Sequence, residues 1–225
     1  MAEPEEMLEL FSSTARALRV EAPDVLTAIV TQAAQTVPSA VWAGVIELER
    51  GRLTPKATLG DPPRVLDRLQ QEQNTGPCID AARDQQVVVV DDTATDRRWP
   101  GIAATAVAQG VCSMLCLPLW VDGHRLGTLS LYGEQSHAFA AAERRLAAFY
   151  ATLAALALAD SRRVAQLTLA LESRDLIGQA KGILAERLRI TPEAAFALLK
   201  KTSQDTNQRL VAVAEKLVGT GEWPG

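Results

Sequence analysis

The sequence predicts an α+β domain built on an antiparallel sheet, followed by an all-helical tail. Three observations point there. Five runs rich in β-branched and apolar residues, spaced among short helical runs, lie between Val41 and Tyr132. The last two of them, Ser113 to Val121 and Arg125 to Tyr132, flank Asp122-Gly123, a dipeptide suited to a tight hairpin turn. From Ala138 onward no strand signal remains.

Taken in order, Glu5 to Val37 reads as helix in two pieces, broken near Ala22-Pro23-Asp24. Val41 to Glu49, a turn at Gly51 and a second run to Leu59 read as a hairpin. Helical stretches follow at Pro63 to Gln73 and Cys78 to Asp84, then a buried strand at Val87-Val88-Val89-Val90, then a helix from Pro100 to Gln109. After the Asp122-Gly123 hairpin, Ala138 to Leu188 contains no proline and reads as one long helix. Leu146, Phe149, Leu153, Leu156, Val164, Leu167 and Leu171 recur along it at heptad-like spacing, interrupted by Asp160-Ser161-Arg162-Arg163. Such a seam is buried against a partner in a coiled-coil dimer, or its first half packs on the sheet and the polar break ends it. A break in the seam also lowers local stability and permits two registers, so it is the expected place for switching; an inert linker is the alternative. Thr191-Pro192-Glu193 combines a cap, a proline at the first position and an acid in the first turn. That helix is expected to reach about Gln204. Asp205-Thr206-Asn207 is expected to cap a last helix, with Leu210, Val213, Ala214 and Leu217 on one face and an end at Gly219 to Gly221.

Apolar residues make up 48% of the 225 and charged residues 22%, the balance of a globular chain. The net charge of −4 is unevenly spread. Residues 1–160 hold 13 Lys+Arg against 20 Asp+Glu, and residues 161–225 hold 10 against 7, so an acidic body carries a basic tail. That asymmetry points to a polyanion partner for the tail. No run reaches the roughly 20 apolar residues of a membrane helix, and the acidic start MAEPEEMLEL lacks the basic region of a signal peptide. The expected location is therefore cytoplasmic, with no membrane partner, and the three cysteines are expected to stay reduced there.

Catalytic patterns are missing. The chain has two histidines, His124 beside the hairpin turn and His137 before a helix, and both read as exposed turn residues. Neither a phosphate-binding Gly-rich loop nor a Gly-x-Ser-x-Gly elbow occurs, so no enzyme is expected. Cys112 and Cys116 would share a strand face and, with Cys78, flank a redox or ligand pocket; the alternative is three small buried hydrophobes. No spacing supplies a fourth metal ligand, and no metal is expected.

On the long helix, Leu176, Ala180, Ile183, Leu184 and Arg187 gather on one side, and Arg174, Gly178, Lys181, Gly182 and Ala185 on the other. Each interior glycine costs about 1 kcal/mol relative to alanine, so two of them require a reason. Close approach of another helix is one. Close approach of a nucleic-acid backbone, with Arg174 and Lys181 on its phosphates, is the other.

The stretch Ser173-Arg174-Asp175-Leu176-Ile177-Gly178-Gln179-Ala180-Lys181-Gly182-Ile183-Leu184 resembles the ANTAR RNA-binding domain. Thr191-Pro192-Glu193-Ala194-Ala195-Phe196-Ala197-Leu198-Leu199 and Ser203-Gln204-Asp205-Thr206-Asn207 continue the likeness. Upstream, Gly76-Pro77-Cys78, Val90-Asp91-Asp92, Arg98-Trp99-Pro100, Gly110-Val111, Ser113, Pro118-Leu119, Gly127-Thr128-Leu129 and Leu131-Tyr132 resemble a GAF sensor domain. The resemblance implies an N-terminal helical arm (1–19), a GAF domain (20–158) and an ANTAR domain (159–222). It further implies a transcription antitermination regulator, a homodimer joined through the long helix that holds paired RNA stem-loops and prevents terminator formation. The family's RNA-contacting positions fall on Arg174, Gln179, Ala180, Lys181 and Gly182, and on Lys200, Lys201 and Ser203 of the next helix. By helical angle, Gln179 and Ala180 lie off the glycine strip. Phe196 falls on the apolar side of its helix and is expected in the core, which leaves base stacking to the Arg174 guanidinium. GAF domains bind many small-molecule ligands or none, so the resemblance names no cofactor, and the cyclic-nucleotide Asn-Lys-x-Asp-Glu run is absent. A DNA-binding helical unit and a dimerising adaptor without nucleic acid are the other classes; DNA is not expected, because the turn between the last helices lacks the glycine and tight spacing of a helix-turn-helix.

Overall fold

Strand alternation sorts side chains to the two faces of a sheet, and here both faces are covered. The computed structural model describes residues 12–13, 16–18 and 25–223. The expected arm over residues 1–19 and the break at Ala22-Pro23-Asp24 lie outside the described residues, apart from 12–13 and 16–18. The chain forms two compact units, Met1–Arg162 and Arg163–Gly225.

The first unit contains α1 (Val25–Thr36), β1 (Trp42–Glu49), β2 (Arg52–Leu59), α2 (Asp61–Gln73), α3 (Pro77–Asp84), β3 (Val88–Val90), α4 (Pro100–Ala108), β4 (Ser113–Val121) and β5 (His124–Gly133). Its last element is the first part of α5 (Ala141–Leu188). The strands form one antiparallel sheet in the order β2-β1-β5-β4-β3. The β4–β5 turn has positive φ at both Asp122 and Gly123, the geometry whose twist matches a hairpin. Arg50 and Gly51 do the same between β1 and β2. Gly127 is obligatory for a different reason: its φ is +149° and a Cβ there would lie 1.9 Å from the Ile46 carbonyl oxygen.

One face of the sheet is apolar. Ala43, Val45, Leu115, Leu117, Leu119, Leu129 and Leu131 pack there with α1 and the start of α5. From α5 the buried residues are Ala147, Tyr150, Ala151, Ala154, Ala155 and Leu158, at helical spacing. Tyr150 Oη donates to the Ile29 carbonyl at 2.7 Å, tying α5 to α1. The other face meets α2, α3 and α4 through Ile46, Met114, Cys116 and Tyr132 against Leu66, Ile79 and Ile102.

The expected leucine seam is therefore not what docks α5. Leu146 and Leu153 are half-buried, while Phe149, Leu156, Val164, Leu167 and Leu171 are exposed. Small alanine side chains let the helix lie close to the sheet, and the larger residues turn outward. Nor does Asp160-Ser161-Arg162-Arg163 end the helix, since α5 runs through it unbroken. Arg162 instead fixes the helix to the sheet. Its Nη2 and Nε donate to Glu47 Oε1 at 2.6 and 3.0 Å, and Nη2 also reaches the Leu126 carbonyl at 3.3 Å. Glu47 is buried, so this cation is what allows its charge inside the fold.

In the second unit the end of α5 meets α6 (Pro192–Asp205) and α7 (Leu210–Thr220) around Ala180, Leu184, Ala195, Leu199, Val213, Ala214 and Leu217. Thr191 Oγ1 caps α6 by accepting from Ala194 N at 3.2 Å. Asp205-Thr206-Asn207 does not cap α7. Asp205 ends α6, Asn207 takes a left-handed conformation, and Arg209 holds the N-cap position of α7 without a side-chain bond. Gly221 closes α7 in the left-handed conformation, and Arg187 Nη1 donates to its carbonyl at 2.6 Å.

Arg162→Ala leaves Glu47 buried without its cation, and is expected to lower stability by about 1–3 kcal/mol, discounted for the part-exposed arginine. Urea unfolding of the variant beside Gln166→Ala, an exposed change on the same helix, checks it: the two midpoints must separate.

Candidate functional site

Two places in the molecule bring together groups with chemistry. The first is the surface of the helical unit. Arg174, Gln179 and Gly182 of α5 and Lys200 and Lys201 of α6 are exposed, and Lys181 is half-buried. None of the ion pairs among the described residues uses any of these four cations. Gly178 and Gly182 face open space, with no atom within 4 Å of where a Cβ would stand. Close packing inside the chain is therefore not their reason.

Two of the expected contact residues have roles inside the fold. Ala180 is fully buried in the three-helix core, so its methyl cannot touch a ligand. Ser203 is half-buried, and its Oγ donates to the Gln208 carbonyl at 2.6 Å, closing the turn after α6. The opposite correction applies to Phe196. Expected in the core, it is 41% exposed. The buried stripe of α6 is carried by Ala195, Leu199 and Thr202, and at 100° per residue Phe196 falls beside it.

The second place is the space between the sheet and α2 and α3. Cys78, the second residue of α3, and Cys116 of β4 are fully buried with their sulfurs 3.5 Å apart. Cys78 Sγ is 3.0 Å from Gln70 Nε2 and 3.0 Å from Ser130 Oγ, both of which donate to it. Its backbone N–H donates to Gln70 Oε1 at 2.9 Å, and Thr128 Oγ1 donates to its carbonyl at 2.9 Å. Tyr132 Oη lies 3.6 Å from the same sulfur and donates to Asp67 Oδ1. Asp67 Oδ1 is 3.8 Å from the sulfur, and Asp67 Oδ2 has no hydrogen-bond partner. Two glycines make room for this cluster: a Cβ on Gly44 would lie 2.3 Å from Asp67 Oδ2, and one on Gly76, at φ +133°, 2.4 Å from Gln70 Oε1.

Burial pushes Asp67 well above the ordinary carboxyl range, and negative charge on Cys78 pushes the same way. Burial also pushes up Cys116 and Tyr132. Burial opposes ionisation of Cys78 too, but hydrogen bonds led by those from Cys116 and Ser130 overcome it and bring the thiol down to about 7. The start of α3 favours the same charge. Ionisation of Cys78 and of Asp67 oppose each other, and the donors around the sulfur favour the thiolate over the carboxylate.

Cys112 is not part of it. It precedes β4, is half-buried, and its Sγ points to the Gly110 carbonyl at 3.9 Å. The expectation that Cys112 and Cys116 flank one pocket is therefore corrected to Cys78 and Cys116. Sequence spacing could not find that pair, because 38 residues separate them. Among the described residues, no group of three His, Cys, Asp or Glu side chains is arranged to hold a metal ion, and no helix is long and apolar enough to cross a membrane. A surface groove of about 630 Å³ between β2 and α2 is lined by Arg52, Lys56, Arg64 and Arg68, of which Lys56 is paired with Glu49 and Arg68 with Glu72.

Residues 20–159 match the GAF domain family and residues 165–218 match the ANTAR domain. The chain belongs to the GAF family and carries an ANTAR domain after it. The GAF fold recurs in solved structures. The GAF domain of an Acinetobacter phosphoenolpyruvate-protein phosphotransferase is 15% identical, with TM-score 0.58 over 74% of this chain and 99% of that one. The GAF domain of a Coxiella burnetii phosphoenolpyruvate-protein phosphotransferase is 18% identical, with TM-score 0.55 over 73% and 99%. A GAF/HD domain protein of Geobacter sulfurreducens is 15% identical, with TM-score 0.51 over 64% and 96%. No curated protein matches the chain. GAF followed by ANTAR is a regulatory architecture: an RNA-binding regulator with a sensor domain.

The GAF cluster has a pH signature. Below about pH 4 Asp67 is protonated in both folded and unfolded chains. As pH rises further the unfolded chain ionises it and the folded chain does not, so the Asp67 contribution to stability falls from about pH 4 toward neutrality. Asp67→Asn keeps the shape and removes this loss. Thermal unfolding is expected to show a gain over wild type at pH 7 and little or none at pH 4; equal effects at both would contradict the assignment.

Proposed function

We propose that the chain is a cytoplasmic, homodimeric transcription antitermination regulator whose ANTAR units hold paired RNA stem-loops in a leader transcript and prevent terminator formation. The observation that carries this reading is the free basic surface of the ANTAR unit. Arg174, Lys181, Lys200 and Lys201 have no acidic partner among the described residues, and the two glycines on the helix of Arg174 and Lys181 face open space. Phosphates supply the missing counter-charge, and the bare glycine backbone lets a nucleic-acid strand come close.

Exposure of Phe196 changes the reading of how bases are recognised. Unpaired loop bases stack on aromatic faces, and α6 offers one. Guanidinium stacking by Arg174 is then an addition and not a substitute. Gln179, exposed beside Gly178, adds an amide for base edges. Ala180 and Ser203 contribute by holding the helices that carry these groups.

Dimerisation is supported by the outward residues of α5. Val164, Leu167 and Leu171 are between 53% and 62% exposed and repeat at coiled-coil spacing. Few cations per unit also means few phosphate contacts per unit, so two linked units give the affinity that one lacks.

A gel-shift panel with paired-hairpin RNA, single-hairpin RNA and duplex DNA tests the proposal. Only the paired hairpin is expected to shift at low protein concentration; equal shifting of duplex DNA, or of nothing, overturns it. Lys181→Ala is expected to flatten the salt dependence of log affinity by about 0.7, one phosphate's worth. Phe196→Ala is expected to cost about 1–3 kcal/mol of RNA affinity, measured by titration at fixed salt. Leu167→Glu with Leu171→Glu is expected to give a monomer in sedimentation and to abolish the preference for paired over single hairpins.

A further inference from the structure

We propose that Cys78 and Cys116 form a peroxide-responsive dithiol, oxidised inside the GAF domain to a Cys78–Cys116 disulfide. The proposal is independent of what the ANTAR unit binds. Its basis is placement. Two thiols that merely filled space would sit among apolar atoms. These two touch each other at 3.5 Å, and Cys78 is approached by Gln70, Ser130, Tyr132 and Asp67. An S–S bond is about 2.0 Å long, so closing it requires the sulfurs to approach by less than the width of an atom.

The surroundings fit each step. Gln70 and Ser130 donate to a thiolate on Cys78 and keep it ready as the nucleophile. Asp67, neutral while the charge is on sulfur, is an acid 3.8 Å away. The Cys78 thiolate attacks one oxygen of hydrogen peroxide, the O–O bond breaks, and the departing hydroxide takes the Asp67 proton to leave as water. Cys78 is now a sulfenic acid and Asp67 a carboxylate. The Cys116 sulfur then attacks the Cys78 sulfur, the S–O bond breaks, and the Cys116 proton leaves with the hydroxyl as a second water. Both sulfurs have been oxidised by one electron each, and the peroxide has been reduced to two waters.

Access selects the oxidant. Neither sulfur is exposed, which shuts out a peptide disulfide such as oxidised glutathione and leaves a small oxidant such as hydrogen peroxide. The product has a built-in consequence. The negative charge has moved from sulfur to Asp67, whose Oδ2 has no partner, and it stays uncompensated until a proton enters from water. Oxidation therefore strains the contact between α2, α3 and the sheet, the kind of local change a sensor domain can report.

The test uses the full-length, reduced protein treated with hydrogen peroxide, then unfolded and alkylated for mass spectrometry. Two of the three thiols are expected to escape alkylation, the intact mass to fall by two hydrogens before alkylation, and a linked peptide pair to contain Cys78 and Cys116. Cys116→Ser is expected to abolish the linkage and to leave a sulfenic acid on Cys78 that dimedone traps. Cys78→Ser is expected to leave both remaining thiols alkylatable. The wild-type linked peptide is read without either variant, so a variant that does not fold leaves the test intact. A linkage through Cys112, oxidation confined to Cys112, or three thiols still alkylatable after peroxide treatment overturns the proposal.

Discussion

Close docking of the first half of α5 on the sheet is the constraint from which much else follows. The contact is made by Ala147, Ala151, Ala154 and Ala155, with Tyr150 and Leu158 as the larger members. Alanines keep the helix axis near the sheet, and the strand residues beneath, Leu115, Leu117, Leu129 and Leu131, supply the volume. Because this stripe occupies one face, the helix has a second face to spare, and Phe149 and Leu156 point outward from it. The same register delivers Arg162 to Glu47. A carboxylate inside a small fold is expensive, and here its cation arrives only if the helix is seated correctly. The ion pair thus fixes how α5 lies on the sheet more than it adds to stability.

The two faces of the sheet divide the labour of the GAF domain. The face under α1 and α5 is apolar and holds the fold together. The face under α2, α3 and α4 mixes Ile46, Met114 and Ile102 with Asp67, Gln70, Cys78, Cys116, Ser130 and Tyr132. A polar network of that kind is costly to bury and confers no packing advantage over Leu or Val. Its members come from two helices and two strands, and Gly44 and Gly76 are kept small to admit them. That combination is what the dithiol proposal rests on.

The ANTAR unit shows the complementary economy. Its core is seven residues from three helices, and the outward positions of α5 and α6 carry cations that nothing in the described chain neutralises. Gly178 and Gly182 lower the helical propensity of α5 without packing reward inside the unit. A surface that costs stability and leaves charge uncompensated is one prepared for a partner.

Local pattern was enough for the elements, because turn chemistry and periodicity act within a few residues. Asp122-Gly123 set the β4–β5 turn, Thr191-Pro192 started α6, and the absence of proline carried α5 unbroken from Ala141 to Leu188. The family likeness and the basic residues of the tail were also legible, since motif and charge are properties of the chain itself. What pattern could not decide is which of several apolar faces is buried. Leucine spacing favoured one stripe of α5, and the sheet selected the alanine stripe because close approach outweighs side-chain size. Phe196 was assigned inward by its apolar character and lies outward because Ala195 and Leu199 fill the core. The pairing of Cys78 with Cys116, and of Glu47 with Arg162, joins residues 38 and 115 positions apart. Such contacts exist only once the sheet has closed, and so only the tertiary structure decides them.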